Sequence, residues 1–158
     1  MVEFSKPGAY IKQISVYLEN KENEKADELA KEFVKKFPND MISHYIAAKT
    51  AFALGRYKDA ESEAMKAFSK ATGPDDMQAC GVLASSAYYA LREYAKGHDL
   101  LSKIKKIKNS EMVEKLLFAY SIAMRNEQEA MEHIDELYKL NRKAAEEFVI
   151  SYLRNQKR

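Results

Sequence analysis

Alanine falls at Ala47, Ala48 and Ala51, and again at Ala60, Ala64 and Ala67. These spacings put small groups on one face of each of two consecutive helices, over 41–54 and 57–71. Facing stripes of small residues let two helices approach closely, and Tyr57 and Phe68 then fill the space beside them. The pattern recurs along the chain. "ALGRYKDAESEAMKA" (53–67) aligns with "ALREYAKGHDLLSKI" (90–104) at Ala53/Ala90, Leu54/Leu91, Tyr57/Tyr94 and Lys66/Lys103, with Gly97 in the place of Ala60. "AMRNEQEAMEHIDEL" (123–137) keeps Ala123 and Ala130, and "ENKENEKADELAKEF" (19–33) keeps Ala26. The offsets are 34, 37 and 33 residues, so the chain reads as an array of helix pairs.

Turn residues punctuate the array. Gly55 is placed to end a helix in the left-handed conformation. Pro38 with Asn39-Asp40, and Gly73-Pro74-Asp75, separate one pair from the next. Ser110 can cap a helix, and Asn126 with Glu129 three residues on forms a capping-box pattern. The expected helices span roughly 7–19, 22–37, 40–54, 57–71, 75–91, 93–106, 110–124, 127–140 and 142–156. Along them Asp27–Lys31 and Glu32–Lys36 are i, i+4 pairs of a solvated outer face.

The chain has 158 residues, 46% apolar and 32% charged, enough to fold around a sizeable core. Five glycines and three prolines are too few for a turn-rich β-sandwich. A formal net charge of +2 argues against strong nonspecific attraction to nucleic acid. The lone Cys80, among small apolar residues, reads as a buried reduced thiol, which suits the cytoplasm. No stretch approaches the apolar length of a membrane span, and the N-terminus lacks the apolar run of a signal peptide.

The pattern resembles the tetratricopeptide repeat (TPR), a helix–turn–helix unit of about 34 residues. The fullest copy is 41–74, where Ala48, Gly55, Tyr57, Ala60 and Ala67 fall on the positions the family favours. The other repeats are expected at about 7–40, 78–110 and 111–141, with a capping helix over 142–156 whose Phe148, Val149 and Leu153 cover the last pair. In the fourth repeat Phe118 stands where a small residue belongs, which leaves a one-residue slip of register open. The resemblance implies an all-α fold, a right-handed solenoid of antiparallel pairs with about nine helices, in one domain spanning 1–158. An ordinary helical bundle with accidental alanine periodicity is the competing architecture.

Chemistry is hard to find in this chain. His44, His98 and His133 are not spaced as metal ligands, and neither HExxH, CxxC nor a glycine-rich phosphate loop occurs. Asp75 and Asp76 suit a helix start, where they complement the dipole. The expectation is a non-enzyme without cofactor or metal. "KIKKIKN" (103–109) fits a lysine-rich helix end with inward isoleucines, and more weakly a patch for acidic partners or RNA; the tail "RNQKR" is equally ambiguous.

In TPR arrays the first helix of each pair lines a concave face that holds protein segments. By register this resemblance implies a groove of Ile11, Lys12, Ile42, Tyr45, Ile46, Lys49, Phe52, Val82, Ser86, Tyr89, Met112 and Lys115, flanked by Ser15, Leu18, Leu83, Leu116 and Ile122. A groove closed on itself or by the last helix is the alternative. The clamp with which some TPR proteins grip a terminal carboxylate is missing: its positions hold Ile11, Ser15, Ile46, Ala79 and Leu83 in one register, and Tyr45, Lys49, Leu83, Met112 and Leu116 in the next. The expected partner is an apolar or amphipathic protein segment. A self-associating subunit of a larger complex, or an RNA-binding repeat protein, are the other readings.

Overall fold

The structure, a computed structural model, describes residues 5–156. Its regular elements are all helical: α1 (Pro7–Glu19), α2 (Asn23–Lys36), α3 (Met41–Ala53), α4 (Tyr57–Lys70), α5 (Pro74–Ala90), α6 (Tyr94–Ile107), α7 (Glu111–Ala123), α8 (Glu127–Leu140) and α9 (Arg142–Gln156). Each helix packs on the next, and α1, α3, α5 and α7 also touch in sequence, which makes the chain a stack of hairpins. Every end lies within one residue of the expected boundary.

The alanines lie where helices meet. Ala48, Ala60, Ala64 and Ala67 are fully buried, and so are Ala26 and Ala130. An aromatic cluster closes the first hairpin: Tyr10 stacks on Phe33 at 4.9 Å, and Phe37 meets both rings edge-on. A larger core runs through the later repeats around Leu101, Ile104, Val113, Leu117 and Tyr120.

The turn inside each hairpin is one backbone device used four times. Lys21, Gly55, Arg92 and Arg125 all take a positive φ, from 59° to 76°. At Gly55 the following amide, of Arg56, donates to the Ala51 carbonyl at 2.8 Å, while Gly55 itself donates to Phe52 at 3.0 Å. The same pair of bonds recurs at Lys21, Arg92 and Arg125, which makes each a Schellman cap. Only one of the four is the glycine that the conformation favours. Gly55→Val should therefore cost about 1 kcal/mol or more through backbone strain, since an added Cβ itself meets nothing within 4 Å. Arg92→Gly or Arg125→Gly should stabilise by about 0.5–1 kcal/mol, the relief of a left-handed arginine less the entropy of glycine. Urea midpoints moving the other way would contradict the cap.

Helix starts depart from expectation in detail. Ser110 caps α7, accepting from Val113 N–H at 3.2 Å. Asn126 accepts from Glu129 N–H at 3.1 Å, but the reciprocal half of the capping box is absent. The Glu129 carboxylate turns instead to His98 at 2.9 Å and to the Ser121 hydroxyl. Asp75 and Asp76 lie in the first turn of α5 as expected, yet Asp75 binds Lys108 rather than capping backbone.

One position in each repeat pairs a first-helix residue with a second-helix residue 19 places on. It holds Tyr10/Leu29 and Gly81/Leu100 in repeats 1 and 3. In repeat 2 it holds His44/Glu63, 2.6 Å apart, and in repeat 4 the same chemistry reversed, Glu114/His133 at 2.8 Å. This equivalence, with Arg125 in the place of Gly55, fixes the register of repeat 4 without a slip. Phe118 is accommodated because α9 supplies Phe148 and Tyr152, whose rings meet it edge-on at 5.2 and 5.0 Å. The expected role of Leu153 is corrected: it is 56% exposed, and Tyr152 does the covering.

Candidate partner-binding groove

The register assigns one face of α1, α3, α5 and α7 to the candidate groove. None of the twelve residues assigned to the groove is buried: Lys12, Lys49, Tyr89 and Met112 are exposed, and the other eight are intermediate. Met112 is 53% exposed and Tyr89 38%. The neighbouring faces of the same helices are closed, by Tyr10 and Ile14 on α1, Ala48 and Ala51 on α3, and Val113 and Leu117 on α7.

The aromatic residues are held at their edges. Tyr89 meets Tyr120 and Tyr94 edge-on at 5.3 and 5.5 Å, and Phe52 meets Tyr57 at 5.2 Å. Burial raises the Tyr45 phenol above its ordinary pKa, with Cys80 of α5 nearby adding to the shift. Lys49 Nζ stands 5.7 Å over the Tyr45 ring, and Lys115 Nζ 5.9 Å over Phe148. The Ser15 and Ser86 hydroxyls donate to carbonyls one turn back, Ile11 and Val82, at 2.9 Å each.

A cavity of about 340 Å³ opens beside Tyr89, between α7 and α9. Phe118, Ile122, Phe148 and Tyr152 line it with Lys115 at hand. The sequence reading missed the contribution of α9 because it treated that helix purely as a cap. The i, i+4 spacing of Phe148 and Tyr152 was the available signal.

The remaining candidates resolve into structural contacts. Burial, and secondarily Asp76, pushes the Cys80 thiol up to about 11, which suits an inert thiol. Each histidine faces a glutamate: His44–Glu63, His98–Glu129 and His133–Glu114. Among the described residues no group of three or more His, Cys, Asp or Glu is placed to hold a metal ion. The 103–108 lysine patch is partly neutralised, since Lys105 binds Glu114 at 2.8 Å and Lys108 binds Asp75. Its Ile104 is buried, whereas Ile107, expected to pack inward, is 40% exposed. The "RNQKR" tail lies partly outside the described residues. No described helix is long and apolar enough to cross a membrane.

No family model and no curated protein matches the sequence. Solved structures do match the fold. TTC0263, a TPR protein of Thermus thermophilus, superposes with a TM-score of 0.75 at 16% identity over 94% of this chain and 80% of its own. A chain of nearly identical TPR-like repeats from Podosopora anserina gives 0.77 at 17% identity over 98% and 90%. MamA gives 0.71 at 16% identity over 81% and 74%. With four Schellman-capped hairpins stacked in register and a ninth helix closing the row, the chain has the tetratricopeptide-repeat fold.

Proposed function

We propose that the chain, acting as one TPR-like unit over 1–158, is a non-catalytic adaptor or assembly module that holds a protein segment in its concave groove. The observation that carries this reading is that all twelve assigned residues keep some accessibility along α1, α3, α5 and α7, although Ile11, Ile42, Ile46, Phe52 and Val82 also pack against the core, and that the row ends in the cavity beside Tyr89. Exposed aromatic anchors on a rigid scaffold concentrate binding energy, because they remove much apolar area from water at small entropic cost. The lining lacks the residues of a carboxylate clamp, so the segment is held along its length rather than by its terminus. A buried reduced thiol fits a cytoplasmic setting.

Capture from the native host followed by mass spectrometry identifies the partner. Tyr45→Ala or Tyr89→Ala should then weaken its binding by about 1–3 kcal/mol while leaving the helical signal intact. Variants that fold and bind normally would move the site to another surface.

One observation favours a self-associating subunit as the second reading. Met131 and Tyr138 on α8, and Ile150 and Leu153 on α9, are exposed at the last hairpin. Phe68, the repeat-2 equivalent of Tyr138, is covered by the following repeat, packing near Gly81 of α5. A mass that rises with concentration in sedimentation, and stays low in Ile150→Glu, would select that reading.

A further inference from the structure

We infer that the groove's partner is an acidic amphipathic protein segment that seats one large apolar side chain in the cavity between α7 and α9. The inference rests on the groove being a protein-binding face. Its first support is charge. The twelve groove residues include Lys12, Lys49 and Lys115 and no carboxylate, although the chain as a whole is nearly balanced at 26 basic and 24 acidic residues. Among the described residues none of these three lysines has an ion-pair partner; Lys49 and Lys115 rest over aromatic rings instead. On the second helices Lys25, Lys31, Lys58, Lys66, Lys96 and Lys139 each hold a carboxylate, while Lys35, Lys70, Lys103 and Lys106 do not among the described residues. Beyond the row, α9 carries Glu146, bound to Arg142 at 3.2 Å, and Glu147 next to Phe148. Lys12, Lys49 and Lys115 thus put positive charge without a carboxylate partner beside the apolar groove surface.

The second support is the cavity. Its 340 Å³ lies at the small end of ligand pockets, which run to about 1,000 Å³, and suits one bulky side chain rather than a cofactor. Phe118, Phe148 and Tyr152 offer ring faces and edges for that side chain, and Lys115 stands beside them to meet a carboxylate on the same segment. A segment carrying Asp or Glu a turn away from Phe, Leu or Trp satisfies both features together.

The test is a phage-displayed library of random peptides about 16 residues long, long enough for a few helical turns across the groove. It is selected on the wild-type chain and, in parallel, on the Lys49→Glu/Lys115→Glu variant. Wild type should enrich acidic peptides with an aromatic or leucine anchor, and the variant should enrich basic ones. A synthetic copy of the winning peptide should bind about tenfold more weakly to the charge-reversed chain. It should lose affinity as well on Phe148→Ala and on Ser151→Phe, which fills the cavity from its rim without removing any packed group. Circular dichroism checks that each variant is folded. Neutral or basic winners that still depend on Tyr45 would overturn the inference and leave the groove standing. No enrichment, or winners indifferent to Tyr45→Ala, Phe148→Ala and Ser151→Phe alike, would overturn the inference and the groove reading together.

Discussion

Alanine in place of Gly97 should destabilise the protein by about 2–4 kcal/mol, although the three other repeats carry alanine at this position, as Ala26, Ala60 and Ala130. An ideal Cβ there would stand 1.8 Å from the Tyr120 hydroxyl and 2.2 Å from its Cζ. Tyr120 cannot easily give way. Its side chain is fully buried and its hydroxyl donates to the Ser85 carbonyl. Its ring is flanked by Tyr89 and Tyr94. Burial, and then the nearby Tyr89, raises its phenol pKa, so the group stays neutral and a donor. Admitting a methyl group displaces the ring and strands a polar atom beside Ser85, whose own Oγ already lacks a partner. Urea denaturation measures the loss. Removing the tyrosine should remove the penalty: Gly97→Ala in a Tyr120→Leu background should cost at least about 1 kcal/mol less than in the wild type. Equal costs in both backgrounds would show that the ring is not the obstacle.

Acid should unfold the fourth repeat through Glu114, whose carboxylate is fully buried among His133, Lys105 and Asn109. Burial by itself would raise the carboxyl pKa. Hydrogen bonds from His133, then Lys105 and Asn109, outweigh it and hold the group at about 2, against an ordinary 4.5. A carboxyl lowered in the folded state contributes its stability above the unfolded value and loses it as the pH falls through the folded one. The loss should therefore run between about pH 4.5 and 2 and reach about 3 kcal/mol. Glu129, also lowered, adds a loss of the same sign: burial opposes its ionisation, and Ser121 and His98 overcome that. Glu114→Gln should cost about 2–3 kcal/mol at neutral pH, because Lys105 loses its counterion and the buried hydrogen bonds to the carboxylate are weakened. It should also flatten the acid limb of the stability profile. A profile as steep as that of the wild type would assign the acid sensitivity to other carboxylates.

Helix ends and the alanine interfaces could be read from the sequence because they depend on local spacing and turn chemistry. Ala60, Ala64 and Ala67 announce a close contact whatever lies opposite. The second use of those spacings was harder to see. The left-handed cap at Arg92 and Arg125 leaves no trace in residue type, since arginine adopts it only because the hairpin imposes it. Glu129 read as a capping residue because its local neighbours fit that role, while the side chains that claim it, His98 and His133, come from one repeat earlier and one helical turn later. The groove positions followed from register once the hairpins were placed. The cavity did not, because it needs Phe118 to be too large for its position and α9 to supply two rings in response.

The reversed pair, His44/Glu63 in repeat 2 and Glu114/His133 in repeat 4, gives each hairpin a polarity of its own. A chain made of similar helices faces the hazard that a first helix folds against the wrong second helix. If α3 took α8 as its partner, two imidazoles would face each other; if α7 took α4, two carboxylates would meet. Repeats 1 and 3, with Tyr10/Leu29 and Gly81/Leu100, offer neither imidazole nor carboxylate to a stray partner. The two polar positions act as mating keys: each correct closure forms a His–Glu contact, and each exchange between the keyed hairpins sets like against like. Such a code favours closure of each keyed first helix on its own neighbour in sequence.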